Sequence, residues 1–122
     1  MGLFTRRNAA APMEPVPITV PRPSIDGWTL AGTPLVTKLS KPDLRELETL
    51  LHGVAVQSDT PFTYERAAVL LERAGEPGQA VSACDAWLAL PASKWPEYSH
   101  YTRSIDKRRT RLRNRQPPAA AS

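Results

Sequence analysis

The sequence is poor in the residues that most reaction chemistry needs. Cys84 is its only cysteine, and His52 and His100 are its only histidines among 122 residues. A lone cysteine excludes an internal disulfide, which fits a reducing compartment. A zinc site takes three or four converging nitrogen, sulfur or oxygen ligands, and neither histidine has a second ligand at metal spacing. Gly27 and Gly32 lead into no Gly-Lys-Ser/Thr or Gly-x-Gly-x-x-Gly phosphate loop. No apolar stretch approaches the roughly 20 residues that span a bilayer. Charges near Met1 are followed by no long apolar run, so no signal peptide is expected, and Arg6 stands where myristoylation wants Ser or Thr. The expectation is a cytoplasmic protein with no catalytic residues, no metal and no cofactor.

Proline, by contrast, is plentiful. Pro12, Pro15, Pro17, Pro21 and Pro23 fix φ and remove amide donors, which rules out a helix or a central strand there. The stretch from Pro15 to Pro23 reads as extended, polyproline-like chain. Its apolar residues Val16, Ile18 and Val20 alternate at period two. An unstructured leader is the plainer expectation; a strand-like arm laid on a partner is the other. From Ser24 to Leu39 the apolar residues Trp28, Leu30, Leu35, Val36 and Leu39 are broken up by Gly27, Gly32 and Pro34. That pattern fits either one short hairpin or an irregular strap, with Trp28 anchoring it to a core.

Helical signals begin at Ser40. It is an N-cap residue, with Pro42 in the first turn and Asp43 three positions on. Leu44, Leu47, Leu50, Leu51 and Val54 follow at helical spacing, so a helix is predicted over 41–54, with Gly53 placed to end it. Thr60 and Pro61 open a second helix, 61–74, whose face is Tyr64, Ala67, Ala68, Leu70, Leu71 and Ala74, with Gly75 as its stop. A third, 77–90, carries Ala80, Val81, Cys84, Trp87 and Leu88 as a continuous apolar stripe, and Pro91 ends it. So short a joint between two amphipathic helices demands an antiparallel hairpin. A last helix, 96–113, shows Tyr98, Tyr101, Ile105 and Leu112, with the aliphatic stem of Arg108 filling the gap while its guanidinium reaches water. The predicted fold is all-α: a Pro-rich arm and strap (1–39), a small helical bundle (40–115) and a flexible tail (116–122).

From Tyr64 to Pro91 the residues resemble a tetratricopeptide repeat, a two-helix unit of about 34 residues with small residues where the helices cross. Gly75 falls on the repeat's mid-turn glycine, Tyr64 on its tryptophan-type position, and Ala67 and Ala68 on its Leu-Gly pair. Leu71 takes the large residue one turn later. In the second helix Ala80 takes the characteristic small position, Cys84 the aromatic one and Leu88 the leucine near the end. Trp87 departs from the pattern, since the family prefers alanine there. An indole at that place must point into a gap, against Tyr98 or Tyr101. The layout of helix, Gly turn, helix, Trp-bearing link and basic helix is also similar to C-terminal hairpins of small bacterial and phage accessory proteins. This resemblance implies a protein-binding scaffold.

Three features are weighed as functional. Cys84 lies on the apolar stripe and reads as a small buried hydrophobe. Glu46, Glu48, Glu65, Glu72 and Glu76 read as solvated charges on polar helix faces, near Arg45, Arg66 and Arg73. The net charge of +4 is concentrated at the end, where Arg103, Lys107, Arg108, Arg109, Arg111, Arg113 and Arg115 meet one acid, Asp106. The leading expectation is a non-catalytic adaptor or accessory subunit that grips a protein partner through Tyr64, Trp87, Trp95 and Tyr98, aromatic anchors of the usual energetic kind. The alternative is a nucleic-acid-binding accessory protein using Lys107, Arg109, Arg111, Arg113 and Arg115. Either reading is compatible with self-association, because a core this small gains from added contacts.

Overall fold

A computed structural model describes residues 16–115. Among these residues four α-helices make the fold: α1 (Lys41–Ala55), α2 (Pro61–Arg73), α3 (Pro77–Leu88) and α4 (Ser99–Arg115). Their one sheet is an antiparallel hairpin of β1 (Arg22–Ser24) and β2 (Gly27–Thr29), with Arg22 opposite Thr29. The chain is an all-α bundle. The predicted tail and the first 15 residues of the predicted leader lie outside the described residues.

Local chemistry explains where the helices start and stop. The Ser40 side chain caps α1 by accepting the Asp43 amide at 3.3 Å. Gly53 does not end that helix, which runs on to Ala55. A Cβ at Gly53 would stand 2.9 Å from Thr63 Cγ2, so glycine there lets the first turn of α2 approach. The chain reverses instead at Gln57, whose φ of +59° is left-handed. Gly75, at φ +77°, closes α2, with Glu76 N–H donating to Leu71 O at 2.9 Å and Gly75 N–H to Glu72 O at 3.0 Å. The hairpin that follows is tight because Ala67, Ala68, Ala80 and Ala83 are wholly buried where the helices cross.

The last helix begins three residues later than the sequence pattern suggests, and α3 ends two earlier. Pro91–Lys94 and Pro96–Tyr98 each make a single 3-10 turn. A proline pushes the residue before it into an extended conformation. Leu90 and Trp95 accordingly take ψ of 146° and 136°, so no continuous helix passes either point.

The core runs between all four helices, with Leu47, Leu50, Leu51 and Val54 of α1 part of the same cluster. Trp87 fills its centre together with Tyr64, Leu70, Leu71 and Ile105, all wholly or nearly wholly buried. Helix α4 is parallel to α2: Ser104 bonds Glu65 at 2.6 Å and Arg111 bonds Glu72 at 3.1 Å, both across 39 residues. The segment before α1 is a strap with a hairpin in it. Leu30 and Leu35 plug the core, the Leu30 amide donates to Glu48 Oε2 at 2.8 Å, and Trp28 stacks on His52 at 3.7 Å. Val16 to Val20 lies along α3 of the same chain, held by hydrogen bonds from Ser82 to Val16 O and from the Thr19 amide to Gln79.

Candidate protein-docking surface

The two prolines that break the α3–α4 link leave Trp95 between two short turns. A relay of hydrogen bonds then fixes that link to the core. Trp87 Nε1 donates to Thr102 Oγ1 at 3.0 Å, Thr102 Oγ1 donates to Ser93 O at 2.7 Å, and Ser93 Oγ donates to Leu90 O at 2.8 Å. Ser93 is buried, so each of these bonds also satisfies a polar group that would otherwise be costly.

On this base stands a run of aromatic rings that leads from core to surface. The buried Trp87 ring meets Tyr64 at 5.4 Å and the edge of Tyr98 at 5.7 Å. Tyr98, half-buried, stacks with Trp95 at 5.8 Å and meets Tyr101 edge-on at 6.4 Å. Trp95 and Tyr101 are 41% and 43% exposed, enough for both rings to receive a partner. The 39-residue offset between α2 and α4 puts Phe62, itself exposed, level with Tyr101.

Two of the four residues expected at a protein contact are therefore misplaced. Tyr64 and Trp87 are inside the bundle, at 1% and 0% exposure. Their rings are consumed by packing in the α2–α3–α4 core, and the Tyr64 hydroxyl is spent on Ser58 O at 2.6 Å. Burial pushes the Tyr64 hydroxyl up to about 12, with Asp59 adding to the shift. Trp95 and Tyr98 do come together at the surface. Tyr101 belongs with them, although its spacing alone places it on the core stripe. The proline on each side of Trp95 is the signal that this end of the stripe starts outside a regular helix.

The basic residues of α4 divide into two sets. Glu72 on α2 draws three guanidiniums: Arg111 in a bidentate pair at 3.1 and 3.2 Å, Arg108 at 3.6 Å and Arg115 at 3.6 Å. The Arg111 hydrogen bond holds the Glu72 carboxyl below its ordinary range. Arg108 does not run to open water as its place in the stripe suggested; it ends between Glu65 and Glu72. Arg109 pairs with Asp85 at 3.5 Å and Asp106 at 3.0 Å. So Arg109, Arg111 and Arg115 are engaged within the chain. Among the described residues Arg103, Lys107 and Arg113 make no ion pair. His100, Arg103, Ser104 and Lys107 line one shallow cleft on the outside of α4.

The carboxylates are likewise mostly partnered. Glu46 accepts two bonds from Arg66 at 2.8 and 3.0 Å, which hold its carboxyl below the ordinary range, Asp43 takes Arg73 at 2.7 Å, and Glu76 takes Lys38 at 2.8 Å. Among the described residues no group of three or more His, Cys, Asp or Glu is placed to hold a metal ion, and no helix is long and apolar enough to cross a membrane. Cys84 is wholly buried, and burial pushes its thiol up to about 12. The thiolate is the reactive form. Native protein at neutral pH should therefore resist alkylation by iodoacetamide and label only as fast as it unfolds; rapid labelling of folded protein would show the site to be open.

No family model, no curated protein and no solved structure matches this chain.

Proposed function

We propose that the chain is a non-catalytic protein-interaction module, an adaptor or accessory subunit, that docks its partner on Trp95, Tyr98 and Tyr101. The observation that carries this reading is the aromatic run itself. Large rings exposed in a group, and backed by a fully packed core, are the usual anchors of a protein interface. They are also held in place before any partner arrives, which lowers the entropy cost of association. The parallel α2 and α4 on either side of α3 support the likeness to a tetratricopeptide hairpin, with α4 in the place of the next repeat's first helix. The alternative reading, nucleic acid on the basic helix, rests on Arg103, Lys107 and Arg113 alone.

A double substitution, Trp95→Ala with Tyr101→Ala, tests the proposal. Both rings are partly exposed, so the bundle is expected to keep its helical circular-dichroism signal. Partners captured by the unaltered chain from its own cells are expected to bind the variant at least about tenfold more weakly, a loss of about 1.4 kcal/mol. A folded double variant that keeps those partners at unchanged affinity removes this surface from the function.

A further inference from the structure

A second surface is already occupied by the chain itself. Helix α3 receives the arm Val16 to Val20 through three of its residues. Ser82 Oγ donates to Val16 O at 2.6 Å. Gln79 Oε1 accepts the Thr19 amide at 2.8 Å. Gly78 leaves room for Val16: a Cβ there would stand 2.8 Å from Val16 Cγ2, with the other two side-chain carbons of Val16 within 3.5 Å. Both hydrogen bonds go to the backbone of the arm, so they recognise its extended shape and leave most of its side chains unread.

Gln79 is the informative member. It is 9% exposed, one of two buried polar residues among those described. Burying an amide without a partner costs about 1–3 kcal/mol. Its carbonyl is satisfied by the arm. The bonded positions of the arm, Val16 and Thr19, are three residues apart, which is the repeat of a polyproline II helix. Pro17 and Pro21 suit that conformation and cannot donate hydrogen bonds of their own. Beside the arm an apolar cleft of about 300 Å³ stays open, lined by Ile18, Val20, Val54, Ala86, Ala89 and Leu90 among others. Val16 and Val20 remain 40% and 61% exposed, so the arm is held at its backbone more than it is buried.

We propose that this face of α3 is a docking groove for extended, proline-punctuated peptide segments with β-branched residues, and that Val16–Val20 fills it in cis. A partner segment of that chemistry competes with the arm for Gln79 and Ser82. Gly78, Gln79 and Ser82 take no part in the aromatic surface of Trp95, Tyr98 and Tyr101, so failure of one leaves the other standing.

The test uses the full chain and a fluorescein-labelled peptide copying Val16 to Pro23, followed by anisotropy. Three forms are compared: the unaltered chain, an arm-weakened chain (Val16→Gly with Ile18→Gly), and the arm-weakened chain with Gln79→Ala and Ser82→Ala added. The arm-weakened chain is expected to bind saturably, at least about tenfold more tightly than the unaltered chain, whose own arm competes at the high effective concentration of a short tether. Adding Gln79→Ala and Ser82→Ala is expected to abolish binding. If the arm-weakened double variant loses its helical signal, Val16→Gly alone carries the same comparison. A folded arm-weakened chain that does not bind, one that binds without Gln79 and Ser82, or an unaltered chain that binds equally well would each overturn the proposal.

Discussion

Trp87→Ala is expected to lose about 3–5 kcal/mol of stability, the range for removing a large buried aromatic side chain. Trp87 is wholly buried, between Tyr64 and Tyr98, and its N–H supports the Thr102–Ser93 relay that ties the α3–α4 link to α4. A domain of this size has about 5–15 kcal/mol in total. Urea unfolding followed by circular dichroism should therefore move to a much lower midpoint, and α4 should lose amide protection first. Helix α4 has little else to hold it by packing, since its buried residues are Ile105 and Leu112. Trp87→Phe separates the ring from the hydrogen bond. It keeps much of the volume but leaves the Thr102 hydroxyl one partner short, at about 1–3 kcal/mol. A loss below about 1 kcal/mol for Trp87→Ala would mean that the site collapses freely and the indole is not the centre of the core.

Glu72→Gln is expected to raise the chain's affinity for polyanions. In the unaltered chain Glu72 holds Arg108, Arg111 and Arg115 along the α2–α4 seam. Neutralising it releases Arg111 and Arg115 next to the unpaired Lys107 and Arg103 and leaves Arg108 with Glu65 alone. If each then meets a phosphate, the slope of log affinity against log salt for duplex DNA steepens by about 2, and affinity at low salt rises about tenfold or more. Anisotropy across a salt series measures both. Unchanged affinity would show that Glu72 is not what keeps these arginines from an anion. The same change predicts a pH effect of definite sign. The folded-state carboxyl of Glu72 lies below its ordinary value of 4.5. Its contribution to stability is therefore complete above that value and is lost as pH falls through the folded value. The Gln variant starts less stable and lacks this step, so the gap between the two proteins should narrow in acid.

Much of the helical layout was legible because its signals are local. Ser40 and Asp43, Pro61, Gly75, and Pro91 act through backbone groups a few residues away, while the Thr60 side chain makes no capping bond, and the apolar spacing of α1, α2 and α3 needs no knowledge of partners. The misplaced boundaries have a common cause. Gly53 resembles a helix stop in one dimension, but a close neighbour, Thr63, explains it in three. Pro96 resembles a helix start and the chain does turn there, but its first turn, Pro96–Tyr98, is 3-10 and the α-helix proper begins at Ser99.

The candidate sites were less legible, because a side chain's use depends on what stands opposite. Tyr64, Trp87, Trp95 and Tyr98 are alike in sequence as exposed-or-buried aromatics. Only the packing of α3 against α2 and α4 sends two inward and leaves two at the surface. The basic run at the end reads as free charge, and only the parallel approach of α2 brings Glu65 and Glu72 against it. The arm shows the same division. Its prolines alone rule out a helix or a central strand there, since each ring fixes its own φ and removes an amide donor. That it lies on α3 was decided by tertiary structure, through one missing Cβ at Gly78 and two hydrogen bonds to side chains 60 and 66 positions away. Local backbone chemistry is written in neighbouring residues; the partners of charges, rings and buried amides are assigned only when the helices meet.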